Sequence, residues 1–332
     1  MVSGVTERSA PGELLPRAGV DYPSTLPELQ RWFPDDDACT AYLTRLRWPD
    51  GFVCPACGSR DSWRTGTGLW LCASCRRKTS VTAGTVFHRS RLPLTSWFSA
   101  MWLVCAQKNG ISALALQRIM GFGSYQTAWT WLHKLRRAMV RPDRDRLDGL
   151  VEVDETIVGA REHGVSGRQT FAKAVVIIGV ELREDTHKLG RCRLAWLPSV
   201  SKETLCGFVA ANVTKGATVR TDGWNLYKPL GKAGYTHEAI NVSASGDPAH
   251  VALPGVHRVA ALLKRWLAGT LHSGVSHSHL DYYLDEFTFR FNRRDARARG
   301  LLFYRLVQQA VHTDPCPYKD MTAANLDRYI WG

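Results

Sequence analysis

Two aspartates and four paired cysteines carry the most specific chemistry in this sequence. Asp154 lies in Val151-Glu152-Val153-Asp154-Glu155-Thr156-Ile157-Val158-Gly159, where apolar and polar residues alternate as on a half-buried strand. Asp222 ends a second short strand pattern, Val219-Arg220-Thr221-Asp222-Gly223-Trp224. A carboxylate on a buried strand is costly unless something compensates it. Two such groups side by side either hold a proton between them or share a divalent cation. Hard cations such as Mg²⁺ take oxygen ligands of this kind, so the pair predicts a metal-assisted site. The cysteines form Cys54-x2-Cys57 and Cys72-x2-Cys75, with fourteen residues between the pairs. Each pair fits a tight knuckle, and four thiolates at this spacing surround one tetrahedral Zn²⁺.

Two helical spacings add candidates. His257 and Lys264 are seven residues apart and share a helix face. Packed against the strands of Asp154 and Asp222, that face would bring His257 to a metal and Lys264 to a bound phosphate. Glu286, Arg290 and Arg293 stand at i, i+4 and i+7 and also share a face. They fit a salt-bridge ladder, worth a few tenths of a kcal/mol per pair, and equally a grip on DNA.

The 332-residue chain has 43 Lys and Arg against 30 Asp and Glu, a formal +13, with 45% hydrophobic residues. That is enough for one large core plus smaller modules. The positive excess suits a polyanionic partner. It is clustered at Arg76-Arg77-Lys78, from Arg136 to Arg146, and from Arg290 to Arg299. The first cluster, beside the last paired cysteine, is suited to phosphate contact. No signal-peptide pattern opens the sequence, and no apolar run is long enough to span a bilayer. Of the nine cysteines, Cys39, Cys105, Cys192, Cys206 and Cys316 have no regular spacing. That argues for a reducing compartment over a disulfide framework. A cytoplasmic, nucleoid-associated protein is expected.

These residues need elements to hold them. Residues 1–49 read as a tail to about Tyr22 and a short helical segment from Ser24 to Trp48. Residues 50–92 read as a zinc ribbon, with a hairpin around Trp63 and Leu69-Trp70-Leu71 and a Ser/Thr-rich connector over 79–92. Residues 93–147 hold three helices. Thr95 would cap one running to Gln107, Ser112 one from Ala113 to Met120, and Ser124 one from Tyr125 to Val140. The last two, joined by a tight Gly turn, form a helix-turn-helix pattern. Tyr125, Gln126, Thr127 and Thr130 would front its recognition helix, with Lys134, Arg136, Arg137 and Arg141 trailing toward phosphates. A plain three-helix packing unit is the alternative. Residues 148–310 read as strands 150–158, 172–182 and 191–197, helix 202–213 and strand 218–221, then helices reaching Leu267 and spanning Ser278 to about Arg294. Loops are expected at 160–170 and 242–255. The pattern is a mixed α/β sheet domain. Residues 311–332 read as a C-terminal tail.

Taken in order, the motifs resemble those of bacterial insertion-sequence transposases of the ISXO-type branch. They are the two cysteine pairs, Thr82-Ala83-Gly84-Thr85, Leu94-x2-Trp97-Phe98, Gly110-Ile111-Ser112, Thr127-Ala128-Trp129, Val153-Asp154-Glu155-Thr156, Thr221-Asp222-Gly223, Leu262-x-Lys264, and Tyr283-Leu284-x-Glu286-Phe287-x-Phe289-Arg290-Phe291-Asn292-x-Arg294. The resemblance covers roughly residues 50 to 305. It implies an RNase H-like fold, two Mg²⁺ or Mn²⁺ ions, and cutting and joining of DNA at the element's terminal inverted repeats. It also implies a homo-oligomer that holds two ends together. The catalytic set it implies is Asp154, Asp222, His257 and Lys264, in a D-D-H-K pattern. The third position, thirty-five residues after Asp222, is His where the wider DDE class has Glu. Glu286, Arg290 and Arg293 match the branch's E-x3-R-x2-R signature, and Glu286 stands second to His257 as third ligand. Two other readings remain beside it: a non-enzymatic zinc-ribbon, helix-turn-helix regulator, and a metal-dependent nuclease.

Overall fold

The computed structural model describes residues 15–141, 144–159, 173–183, 188–240, 252–271 and 277–322. In chain order the helices are α1 (Leu26–Trp32), α2 (Asp36–Arg47), α3 (Leu94–Ala106), α4 (Ala113–Met120), α5 (Tyr125–Arg137), α6 (Lys202–Asn212), α7 (Pro254–Leu271), α8 (Leu280–Phe291), α9 (Gly300–Ala310) and α10 (Tyr318–Thr322). The strands are β1 (Ser62–Arg64), β2 (Trp70–Cys72), β3 (Lys78–Thr79), β4 (Leu150–Val158), β5 (Ala174–Arg183), β6 (Lys188–Leu197), β7 (Thr218–Thr221) and β8 (Thr236–Ala239). Two units divide them, one drawn from Met1–Arg141 with Asp295–Ala323 and the other from Pro142–Arg294. The expected loop at 160–170, and the expected loop at 242–255 up to residue 251, lie outside the described residues.

In the first unit, β1, β2 and β3 form a three-stranded antiparallel sheet. Its own apolar cluster is only Phe52, Cys54 and Cys72, backed by Trp48 and Trp70. A module that small cannot balance the entropy of ordering its chain without a further cross-link. The Ser/Thr-rich stretch that follows is more than a connector. Val86 and Phe87 are buried, and the Phe87 ring meets Trp97 edge-on at 5.3 Å. Ser112 and Ser124 cap α4 and α5 as expected, accepting the Ala115 and Thr127 amides. Thr95 instead lies inside α3. Its amide and hydroxyl both donate to Asp36 Oδ1, at 3.0 and 3.2 Å, so an acid from α2 caps that helix.

The ends of this unit differ from expectation. Tyr22, placed at the limit of a tail, is buried, and Asp21 accepts the Tyr42 hydroxyl at 2.7 Å. Residues 295–310 were expected in the sheet domain, yet they belong to the first unit. Phe303 of α9 packs against Phe98 at 5.6 Å and Phe33 at 6.2 Å. In the expected C-terminal tail, Cys316 and Met321 are buried, and the Tyr318 ring lies 5.9 Å from Trp129. In both places apolar contact with residues distant in sequence, invisible to local pattern, orders the segment.

The second unit is a five-stranded sheet in the order β6-β5-β4-β7-β8. The first three strands form an antiparallel meander, and β7 and β8 run parallel to β4. Side chains alternate between faces. Val151, Val153, Ile177 and Val219 therefore pack with Leu205, Phe208 and Val209 of α6. Val176, Ile178, Val180, Cys192 and Leu194 pack on the other face with α7 and α8. Helices on both faces of a mixed sheet in this order make the expected RNase H-like architecture. Strand β8 was not anticipated: Thr-His-Glu-Ala has no apolar alternation, and parallel pairing to β7 alone defines it. The edge strand β6 is stitched to α8. Asn292 accepts the Cys192 amide at 2.8 Å and donates back to its carbonyl at 3.1 Å. Arg294 donates to the Leu189 and Gly190 carbonyls. Occupying edge backbone groups in this way blocks further strand pairing there.

Candidate active site and zinc centre

In the parallel pair, Leu150 lies opposite Thr218 and Glu152 opposite Arg220. The ladder ends there, two residues short of Asp154 on β4, and Asp222 follows the last residue of β7; the charges of both aspartates act on Tyr227. Val151 and Val153 occupy the α6 face, so Asp154 turns to the α7 face. There His257 Nε2 lies 3.8 Å from Asp154 Oδ2. That is beyond hydrogen-bond reach, but it fits two ligands of one cation with metal–oxygen distances of about 2.1 Å. Asp222 is aimed by a tight turn. Its Oδ1 accepts the Trp224 amide at 3.0 Å, and Thr221 Oγ1 accepts the Gly223 amide at 3.3 Å. Gly223 has φ 77°, a conformation that favours glycine.

Among the described residues, only the four cysteines bring three or more ligand atoms within 4.8 Å of one another. Asp154, Asp222 and His257 are thus not all within that distance. Ligands of two ions, held about 3.5–4 Å apart, spread wider than those of one.

Three further residues, which the sequence did not nominate, surround this site. Glu152 is wholly buried, and its Oε2 accepts the Val256 amide at 2.9 Å. Burial pushes its carboxyl up, while the amides of Val256 and Gly255 pull the other way. Glu155, next to Asp154, accepts the hydroxyl of buried Tyr227. Burial, and then the negative charges of Glu155, Asp154 and Asp222, push that phenol well above its ordinary range. It therefore stays protonated as a donor. An acid alternating with valines was the available signal for Glu152; nothing local marked Tyr227.

Lys264 is exposed and lines a cleft of about 270 Å³ with Glu155, Thr156, Ile157, Val175 and Val200. Glu286 lies elsewhere on the scale of exposure: its side chain is 2% exposed and that of Arg290 11%. Glu286 Oε1 accepts from Arg290 Nη2 at 2.7 Å and Nε at 2.9 Å. Of the ladder expected on this helix face the Glu286–Arg290 pair is formed, and the expected DNA contact by Arg290 is corrected to an internal ion pair. Arg293 stacks over the Phe289 ring at 4.2 Å and donates to the Phe289 carbonyl.

The expected DNA-contacting residues also divide. Arg136 is 2% exposed, which removes it from any phosphate contact. Ala128, Leu132, Leu135 and Arg136 follow one helical stripe, and that stripe is the buried one. Lys134 is half-buried, with its ammonium over the Trp97 ring at 5.9 Å, and burial lowers its pKa. Thr127 bonds Ser124 at the cap through both amide and hydroxyl, and Thr130 donates to the Gln126 carbonyl. Tyr125 is 53% exposed and Gln126 is exposed beside it. Arg137 is half-buried. On the ribbon, Arg76, Arg77 and Lys78 are all exposed, and Arg76 lies over the exposed Trp63 ring at 5.3 Å.

In the ribbon itself, Cys54 and Cys75 sulfurs are 3.6 Å apart, as are those of Cys57 and Cys72. A tetrahedron with Zn–S bonds of about 2.3 Å has sulfurs roughly 3.8 Å apart. The cluster therefore fits a zinc ion. The Cys75 amide, with help from Ser74, holds the Cys72 thiol down at about 6, on the way to the thiolate a metal requires.

The chain matches the model of the transposase zinc-ribbon domain over residues 34–78 and that of the ISXO2-like transposase domain over residues 146–292. The first range contains the four cysteines, and the second contains Asp154, Asp222, His257, Lys264 and Glu286. The chain is also 29% identical over 270 residues to an uncharacterized protein in transposable element ISH50 of Halobacterium salinarum, covering 75% of this chain and 88% of that protein. No helix among the described residues is long and apolar enough to cross a membrane. The chain thus carries a region that matches the transposase zinc-ribbon domain, followed by one that matches the ISXO2-like transposase domain on an RNase H-like sheet.

Proposed function

We propose that this protein is a DNA transposase that binds the terminal inverted repeats of an insertion sequence and performs metal-dependent strand cleavage and strand transfer. The observation that carries the reading is the 3.8 Å approach of His257 to Asp154, on the strand whose parallel neighbour leads to Asp222. Asp154, Asp222 and His257 would hold two Mg²⁺ or Mn²⁺ ions. Such ions, when bound, activate the attacking oxygen and stabilise the leaving oxygen of a phosphodiester.

The side chains have separable tasks. Asp154, Asp222 and His257 would each supply a ligand atom to the ions. An imidazole in place of a third carboxylate leaves the site less negative, which eases the approach of a phosphate. Lys264, open to its cleft, is suited to bind a phosphate oxygen of the scissile strand. Glu286 is spent on Arg290 and braces α8. Water would attack the phosphodiester at the element's end and release a 3′-hydroxyl, which would then attack a target phosphodiester and displace the 3′-oxygen of the target strand. Arg76, Arg77 and Lys78 would grip backbone phosphates, while Tyr125 and Gln126 at the front of α5 would meet base edges. A homo-oligomer would hold the two ends.

The test is Asp154→Asn on end-sequence DNA. The variant loses a charge with little change of shape. Nicking should fall by more than the roughly 10–100-fold that loss of an outer-shell partner costs, and binding of end DNA should persist. Nicking by the variant at the wild-type rate would overturn the metal assignment. Binding of ends by the wild type with no nicking in either metal would favour the regulator.

A further inference from the structure

We propose that Glu152 is a positioning residue whose buried carboxylate clamps the first turn of α7 and so sets His257 against Asp154. The inference rests on the reading of His257 as a metal ligand.

Glu152 and Asp154 lie two residues apart on β4 and so share a strand face. Glu152 is fully buried and its Oε1 makes no hydrogen bond among the described residues, so the bond at Oε2 is the one that offsets the cost of burying the acid. Arg220, opposite in register, does not pair with it closely. Its guanidinium is held by Glu238 at 3.0 Å. The bond Glu152 does make is to the start of the 18-residue α7, where Oε2 accepts the Val256 amide at 2.9 Å. First-turn amides have no partner within their own helix, and the positive end of the helix favours a carboxylate.

The approach is close enough to dictate a residue. A Cβ on Gly255 would stand 2.8 Å from Glu152 Oε2 and 2.9 Å from Leu182 Cδ2. His257 follows Val256 directly in the chain. One strand therefore anchors the helix with Glu152 and meets its next residue with Asp154. Losing the anchor lets the first turn drift, and with it the 3.8 Å separation of His257 from Asp154.

The experiment is a Mn²⁺ titration of the full, zinc-loaded chain, read by the free-ion electron paramagnetic resonance signal and by calorimetry. Glu152→Leu should weaken Mn²⁺ binding about tenfold or more, the usual effect of removing an outer-shell support. Glu152→Gln keeps an acceptor oxygen and should bind within about threefold of wild type. In a His257→Ala background, Glu152→Leu should add nothing, because the two changes act through one contact. Wild-type affinity in Glu152→Leu, or an equal loss in the His257→Ala background, overturns the proposal. Wild-type affinity in His257→Ala instead overturns the ligand reading beneath it. If circular dichroism shows Glu152→Leu unfolded, Gly255→Ala decides, since it pushes the turn away with the carboxylate intact. Unchanged Mn²⁺ affinity there rejects the clamp.

Discussion

At Asp154 the proposed chemistry rests on one imidazole and one carboxylate separated by 3.8 Å. Nitrogen is a softer donor than carboxylate oxygen, and Mn²⁺ accepts it more readily than Mg²⁺. Mn²⁺ should therefore support nicking at least as well as Mg²⁺ across a metal titration, and consistently poorer rates would remove His257 from the site. Individual residues varied in how legible they were. Asp154 stood out because alternation with valines sets it apart from its core-facing neighbours. Arg136 was misread as a phosphate contact, because a basic cluster was counted without asking which positions fall on the buried stripe of α5. Arg290 was ambiguous in the sequence, and only the burial of Glu286 decided its partner.

Elements carry their own tests. In the first turn of α8, Asp281 accepts the Trp196 amide at 3.4 Å, and burial pushes its carboxyl from 3.8 up to about 6. Below 3.8 the group is protonated in both states and costs nothing. Between 3.8 and about 6 the unfolded chain gives up the proton while the folded chain keeps it, so stability falls as pH rises. Asp281→Asn removes that penalty. Its gain over wild type in denaturant melts should be small near about pH 4 and should reach about 2–3 kcal/mol near about pH 8. A gain that does not grow with pH would falsify the assignment. The ribbon makes a different prediction. With an apolar cluster of three buried residues, it depends on its metal for folding. Chelation, or Cys57→Ser, should release zinc and change the fluorescence of Trp48, Trp63 and Trp70. Mn²⁺ binding by the unit from Pro142–Arg294 should not change.

Across the whole molecule the excess of charge, formally +13, should make the proposed DNA affinity strongly salt-dependent by counterion release. Replacing Arg76, Arg77 and Lys78 together by Ala should lower the slope of log K against log salt by about 2–3, at every DNA sequence alike. Tyr125→Ala with Gln126→Ala should instead reduce the preference for end DNA over random DNA while leaving the slope nearly unchanged. Filter binding at several salt concentrations separates the two outcomes. The arrangement of units bears on how such variants are made: residues 295–322 belong with the N-terminal helices, so a truncation after α8 would remove Phe303 from its contacts with Phe98 and Phe33.

What the sequence by itself determined is what short range controls. The cysteine spacing, the alternation along β4, the seven-residue step from His257 to Lys264, and the Ser caps of α4 and α5 all follow from geometry within a few residues. Tertiary structure alone decided which faces meet. It paired polar β8 with β7, returned α9 to the first unit, buried Arg136, and brought the amide of Val256 to Glu152 across 104 residues of chain. Register and packing between distant segments are settled by the total burial and hydrogen bonding of the assembled core, a quantity that no local window of sequence contains.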